Sequence, residues 1–272
     1  MTRTRGSTIV PIISGIAFVA AIAAGFTAGR HRSAPQRPAT ALHSEWVTIP
    51  NAKGKMVRAY VVYPDRKDAA PSVIVIHEIF GMNAGISLIA DRYAARGYVA
   101  IAPDLLSSEY KSTDSVAARA TQLVSALPDS ILVPDLNAVY GYVNGLPSVQ
   151  KDNTGLIGFC WGGGAVYRYA ANNPKIKAAV PCYGPVSDTS MVKRIKAPVF
   201  AVYAENDARV TSMMPGIKAA MESAHSTFTY DIYKGVGHGF LREGANSTDG
   251  PEVDRARADI AAFFAKQLDH KK

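Results

Sequence analysis

Cysteine is almost absent: 272 residues contain two, Cys160 and Cys182. Two thiols exclude a disulfide-built scaffold, so a packed core has to hold the fold. Charge is also sparse. Charged residues make up 19 % and apolar ones 48 %, which excludes a disordered chain. The formal net charge of +8 is unevenly placed. Arg3, Arg5, Arg30, Arg32 and Arg37 fall within residues 1–41, where no Asp or Glu occurs, so the rest carries only +3. Without a concentrated basic stripe, nucleic acid is excluded as a partner. No G-x-G-x-x-G occurs, which argues against a dinucleotide loop. His77-Glu78-Ile79-Phe80-Gly81 stops short of H-E-x-x-H because Gly81 stands where the second histidine would be. No metal and no cofactor are expected, and nothing asks for a second subunit, so a monomer is expected.

One long uncharged run is present. Ile9 to Gly29 is rich in Ile, Val, Ala and Phe, follows a short basic start, and precedes Arg30-His31-Arg32. A Pro/Ala/Ser stretch then ends in Ala39-Thr40-Ala41, a small-x-small pattern that suits signal peptidase. The run is also long enough to cross a bilayer. Residues 1–41 are therefore expected to be a signal peptide or a membrane anchor plus linker, and residues 42–272 a catalytic domain. Whether the segment is cleaved or retained stays open. The expected location is exported: periplasmic, or membrane-anchored and facing outside the cytoplasm.

Beyond residue 42 the pattern alternates between strands and helices. Glu45–Pro50 and Lys55–Tyr63 read as a hairpin on a sheet edge, joined by Asn51-Ala52-Lys53-Gly54. Ser72–His77 is a continuous β-branched run, as in a strand buried on both faces. Further strands are predicted at Tyr98–Ala102, Gly155–Phe159, Ala178–Cys182, Pro198–Tyr203 and Thr227–Tyr233. Helices are predicted at Ile86–Arg96, near Ser115–Ala126, and at Leu136–Gly145, Gly162–Asn172, Met214–Ala224 and Glu252–Gln267. Such alternation gives an α/β fold: a mostly parallel central sheet with helices on both faces.

The sharpest motif is Gly158-Phe159-Cys160-Trp161-Gly162, set between a predicted strand and a predicted helix. It matches G-x-C-x-G, the nucleophile elbow of the α/β-hydrolase fold with Cys in place of Ser. A nucleophile on so sharp a turn needs small residues two positions to either side. The helix that follows aims its free N–H groups and its dipole at the thiol, favouring thiolate. The backbone N–H of Trp161 is a candidate oxyanion donor, and that of Ile79, in the loop after the first buried strand, is the second. In this fold an acid and then a histidine follow the nucleophile. Asp207 closes the strand-and-loop Pro198–Asp207, with Glu205 as runner-up. His238 sits among Gly235, Gly237 and Gly239 after the last strand. Of the six histidines, only His77 and His238 end predicted strands, and only His238 has the right order. Its expected task is to take the thiol proton, with Asp207 fixing its tautomer. Glu78 is placed to approach Cys160. Cys182 is read as a core residue, with a Cys160–Cys182 disulfide as the alternative.

Together, His77-Glu78-Ile79-Phe80-Gly81, Ala102-Pro103-Asp104-Leu105, Gly158–Gly163, Glu205-Asn206-Asp207 and Gly237–Arg242 resemble the dienelactone hydrolase (carboxymethylenebutenolidase-like) family, over roughly residues 45–268. The resemblance implies hydrolysis of a cyclic enol lactone bearing a carboxylate, through a thioester and without metal or cofactor. It implies that Glu78 activates Cys160 when substrate binds and that Arg242 binds the substrate carboxylate. Three features depart from the family. A second arginine is missing after Pro103-Asp104-Leu105, where Leu106-Ser107-Ser108-Glu109 stands and Lys111 is the nearest base; Arg209 is a candidate substitute. Trp161 is bulkier than the usual aliphatic residue. The N-terminal segment has no counterpart in the cytosolic members. An exported carboxylesterase of other specificity, and a non-catalytic binding protein of the same fold, are the alternative readings.

Overall fold

Period-2 alternation builds the first hairpin. In β2 (Met56–Tyr63), Val57, Ala59 and Val61 are fully buried while Arg58 and Tyr60 are less so. β1 (His43–Pro50) pairs with it antiparallel and forms the outer edge. The computed structural model describes residues 42–186 and 188–269. The targeting sequence read in residues 1–41 lies outside them. Among the described residues, no helix is long and apolar enough to cross a membrane.

The remaining strands are β3 (Ala70–Ile76), β4 (Val99–Asp104), β5 (Val149–Phe159), β6 (Ala178–Cys182), β7 (Val199–Asn206) and β8 (Phe228–Gly237). The eight strands described form one sheet in the order β1-β2-β4-β3-β5-β6-β7-β8. β2 joins β4 antiparallel, and every pair from β4 to β8 is parallel. Both faces of the central strands are covered, which is why β3 is buried at every residue. Ile74, Ile76, Ile101 and Leu156 pack on one face against α4 (Asp129–Gly145), α5 (Trp161–Ala170) and α7 (Met214–Ser223). Val73, Val75, Ala100 and Ile157 pack on the other against α1 (Ala84–Ala94) and α8 (Pro251–Leu268). Each fully buried Val or Ile contributes about 1.5–3 kcal/mol.

Several expected boundaries move, for local reasons. The helix expected at Leu136 starts at Asp129, because Pro134 is accommodated inside it. Proline lacks the N–H that would bond the carbonyl four residues back. That carbonyl, of Ser130, accepts instead from Lys53 Nζ at 2.6 Å. β5 begins six residues earlier than expected, across the polar stretch Gln150–Asn153. Asp152 there adopts φ 57° and donates its N–H to Asn144 Oδ1 at 2.7 Å. The helix expected near Ser115–Ala126 breaks at Val116 (φ −130°) into a 3₁₀ turn, Asp114–Arg119, and the short α3 (Ala120–Ser125). Two further short helices, α2 (Ser107–Tyr110) and α6 (Ala208–Thr211), have too few residues for any periodic signal.

Candidate active site

β5 ends at Phe159 and α5 begins at Trp161, leaving Cys160 alone on the turn with φ 54° and ψ −117°. A non-glycine residue in such a conformation costs of order 1–3 kcal/mol, so its surroundings have to hold it there. The Cys160 N–H donates to the Cys182 carbonyl at 3.1 Å, and its own carbonyl accepts from Gly163 N–H at 3.0 Å. The flanking glycines are obligatory. A Cβ on Gly158 would lie 2.3 Å from the Gly162 oxygen; one on Gly162, 2.4 Å from the His77 oxygen; one on Gly163, 2.6 Å from the Cys182 oxygen. Backbone therefore packs on backbone at three consecutive contacts. Cys160 is half-buried, and both cysteines are free thiols. The N–H groups of Ile79 and Trp161 find no backbone acceptor among the described residues, so both remain available as donors.

Across the same edge, β7 leads to Asp207 and β8 to His238. Asp207 Oδ2 and His238 Nδ1 are 2.5 Å apart, with the carboxylate side chain 5 % exposed. The carboxylate accepts, so Nδ1 carries the proton and Nε2 is the free basic atom. Nε2 is buried and has no aligned hydrogen-bond partner among the described residues. The imidazole is pushed above its ordinary value, chiefly by the Cys160 sulfur and then by Asp207, while burial opposes them. Glu205 faces elsewhere, accepting from Gly235 N–H at 2.8 Å near the end of β8.

Glu78 and Arg242 meet each other. Arg242 Nε donates to both Glu78 oxygens, at 3.0 and 2.8 Å, and its guanidinium lies 5.3 Å from the centre of the Phe80 ring. The Glu78 side chain is 7 % exposed and that of Arg242 29 %. A buried carboxylate needs such a partner. A pocket of about 380 Å³ opens beside the pair, lined by Phe80, Asn83, Phe159 and Tyr183 as well. A larger open groove of about 1030 Å³ lies among Arg66, Lys151, Asp152 and Lys177, at the starting ends of the strands and away from Cys160. Lys111 and Arg209 are both exposed, and neither lines the pocket beside Glu78.

His77 has a structural place. Its fully buried ring donates from Nδ1 to the Glu78 carbonyl at 2.7 Å and accepts the Leu105 N–H at Nε2, at 3.3 Å. Burial lowers its pKa and keeps it neutral. The ring stacks on Trp161 at 5.6 Å, tying the loop after β3 to the start of α5.

The sequence reading missed several neighbours of the site. Asp104 accepts from Thr113 N–H and Oγ1, both at 2.6 Å, and Thr113 Oγ1 in turn accepts from Met82 N–H at 3.2 Å. A Cβ on Gly81 would lie 2.5 Å from Thr113 Oγ1, so the loop carrying Glu78 is moulded around this network. Asn83 caps α1 through Ile86 N–H. Glu243 joins Arg92 of α1 to Arg257 of α8, at 2.6 and 2.9 Å, bracing the backbone next to Arg242. Asn83 before an apolar-periodic helix was a readable cap signal; the long-range pairs had none. Tyr183, directly after β6, was marked only by the glycine that follows it.

Similarity to known proteins extends over most of the chain. The profile of the dienelactone hydrolase family matches residues 57–268. A Methylorubrum extorquens protein provisionally named carboxymethylenebutenolidase is 30 % identical over 207 residues, 71 % of each chain. An Escherichia coli K12 protein with the same provisional name is 31 % identical, over 75 % of this chain and 80 % of that one. A crystal structure from Klebsiella pneumoniae, provisionally named a dienelactone hydrolase, superposes with a TM-score of 0.76 at 28 % identity, covering 83 % of this chain and 99 % of that one.

Proposed function

The chain belongs to the dienelactone hydrolase family, an α/β-hydrolase that acts on esters or lactones, and from that premise we propose that it works through a thioester on Cys160. His238 Nε2 takes the proton from Cys160 Sγ, and the sulfur attacks the substrate carbonyl carbon. The oxygen that gains the electron pair is received by the N–H groups of Ile79 and Trp161. His238 returns the proton to the departing oxygen, leaving the acyl group on sulfur. Water then loses a proton to Nε2, attacks the thioester, and releases the acid as the thiol re-forms. Asp207 holds Nδ1–H throughout.

One observation carries this reading: the imidazole is fixed at Nδ1 by a buried carboxylate, while Nε2 is left unpartnered beside the thiol. Arg242 supports a substrate with an acid arm, because its fork suits a carboxylate and already holds one. Glu78, freed when Arg242 turns to that arm, activates Cys160. The single arginine at the pocket favours a second reading, a carboxylesterase for esters without an acid group. We also propose that residues 1–41 export or tether the domain. Fractionation of the producing cells checks this, and a cytoplasmic protein with an intact N-terminus would end it.

The deciding experiment compares a dienelactone with a p-nitrophenyl ester, using the wild type and Cys160→Ala. Loss of both activities in the variant is expected. Esterase activity that survives Cys160→Ala would remove cysteine from the mechanism. A wild type active on the simple ester alone would favour the second reading.

A further inference from the structure

Tyr183 is the least economical residue of the site. It is a non-glycine residue at φ 39°, and its side chain is fully buried. The backbone around it is pinned: its N–H donates to the Val202 carbonyl at 2.7 Å, and a Cβ on Gly184 would lie 2.2 Å from the Gly163 carbonyl carbon. The ring packs against Phe159, Phe240 and, edge-on at 5.1 Å, His238. Yet its hydroxyl has no hydrogen-bond partner among the described residues. A buried hydroxyl left unpaired costs about 1–3 kcal/mol, and phenylalanine would fill the same space without that cost. Burial pushes its phenol pKa well up, with the Glu78 charge next and Arg242 opposing, so the group stays protonated and can donate. Tyr183 lines the same pocket as Glu78 and Arg242.

Glu78 needs that donor at one moment. In the resting arrangement Arg242 Nε serves both its oxygens. When a substrate acid group draws Arg242 away, a carboxylate that is 7 % exposed loses its cation. We propose that Tyr183 is a positioning residue for Glu78: its hydroxyl donates to the freed carboxylate and holds it at Cys160, so that Glu78 does not follow Arg242. The proposal rests on the reading of Arg242 as the substrate's acid-arm partner. It makes Tyr183 matter most for substrates that carry such an arm.

The test is a double-mutant cycle of Tyr183→Phe and Glu78→Gln in the full chain, on a dienelactone and on p-nitrophenyl acetate. With the lactone, Tyr183→Phe is expected to lower kcat about tenfold and leave KM within about twofold. With the acetate, which has no acid arm, the fall in kcat should be several-fold smaller than with the lactone. In the Glu78→Gln background, adding Tyr183→Phe should cost nothing more. Its melting temperature should match or exceed the wild type, since no bond is lost. Equal losses on both substrates, an added loss in the Glu78→Gln background, no loss on the lactone, or a markedly lower melting temperature would each overturn the proposal. Failure of the hydrolase reading has a separate signature, in which wild type and Cys160→Ala are equally inactive, and it takes this proposal with it.

Discussion

Two regions meet at Cys160 and are built on opposite principles. The elbow is backbone against backbone: Gly158, Gly162 and Gly163 each leave no room for a Cβ, and Cys160 is tied at its N–H and at its carbonyl. The flank formed by Glu78, Arg242 and Tyr183 is made of side chains from three separate loops. In it one ion pair is formed and one hydroxyl is left unpaired. The elbow has a single arrangement that satisfies it. The flank has a resting arrangement and, on the role proposed for Tyr183, one other, in which the tyrosine replaces Arg242 as donor to the Glu78 carboxylate. Rigidity holds Cys160 in place, and on the role proposed for Tyr183 exchangeable partners let a ligand alter its surroundings.

The largest effect expected falls on the elbow. Cys160→Ala should lower kcat/KM by ~10⁴-fold or more while leaving the circular dichroism spectrum unchanged, because members of a catalytic unit act together. Residual activity near the wild-type level would mean that the strained turn serves another purpose. Next in size is a purely structural change. Gly162→Ala places a Cβ 2.4 Å from the His77 carbonyl oxygen and 2.6 Å from that of Ile76, and should destabilise by about 3 kcal/mol or more in denaturant unfolding. Gly141→Ala, in α4 with nothing within 4 Å of the new atom, should instead stabilise by about 0.5–1 kcal/mol. Equal effects at the two sites would show that close approach is not what demands glycine.

The flank should respond in a different way. Arg242→Gln strands a buried Glu78 and should cost about 2 kcal/mol, a figure reduced from that for a fully buried pair because the arginine is 29 % exposed. The double variant with Glu78→Gln should recover most of that loss, since no buried charge is then left unpaired. If the double variant loses the sum of the two single losses, the pair is not a coupled unit and the contrast with the elbow fails.

This contrast also explains what the sequence made legible. Gly158 and Gly162 could be found because the backbone leaves no room for a Cβ there, Cys160 by its place between them, and buried strands such as Ser72–Ile76 because both faces are apolar. His238 could be found by order along the chain. The Glu78–Arg242 pair spans 164 residues, and Asp104–Thr113 joins the end of β4 to an irregular segment. Neither leaves a periodic or local mark. Tyr183 was marked only by the glycine after it, since its unusual feature is a partner that is missing. Pro134 misled for the same reason: the lysine that satisfies the freed carbonyl lies 77 residues from its acceptor.

The smallest effect expected connects the two regions through His238. Its folded pKa is raised above the ordinary 6.5, first by the Cys160 sulfur and second by Asp207, against burial. A group raised on folding contributes stability that is fully present below its unfolded pKa and is lost as pH climbs through the folded value. Stability from His238 should therefore decline above about pH 6.5. Activity should run the opposite way, because Nε2 must be neutral to take the thiol proton, so kcat/KM should rise with pH through that raised value. Removing the sulfur tests which neighbour matters more. In an NMR titration of the imidazole, Cys160→Ala should bring the His238 pKa down further than Asp207→Asn does, since the larger raising influence is gone while burial stays. A greater fall in Asp207→Asn would mean that the ring answers mainly to its carboxylate, and that the elbow holds the thiol without tuning the base beside it.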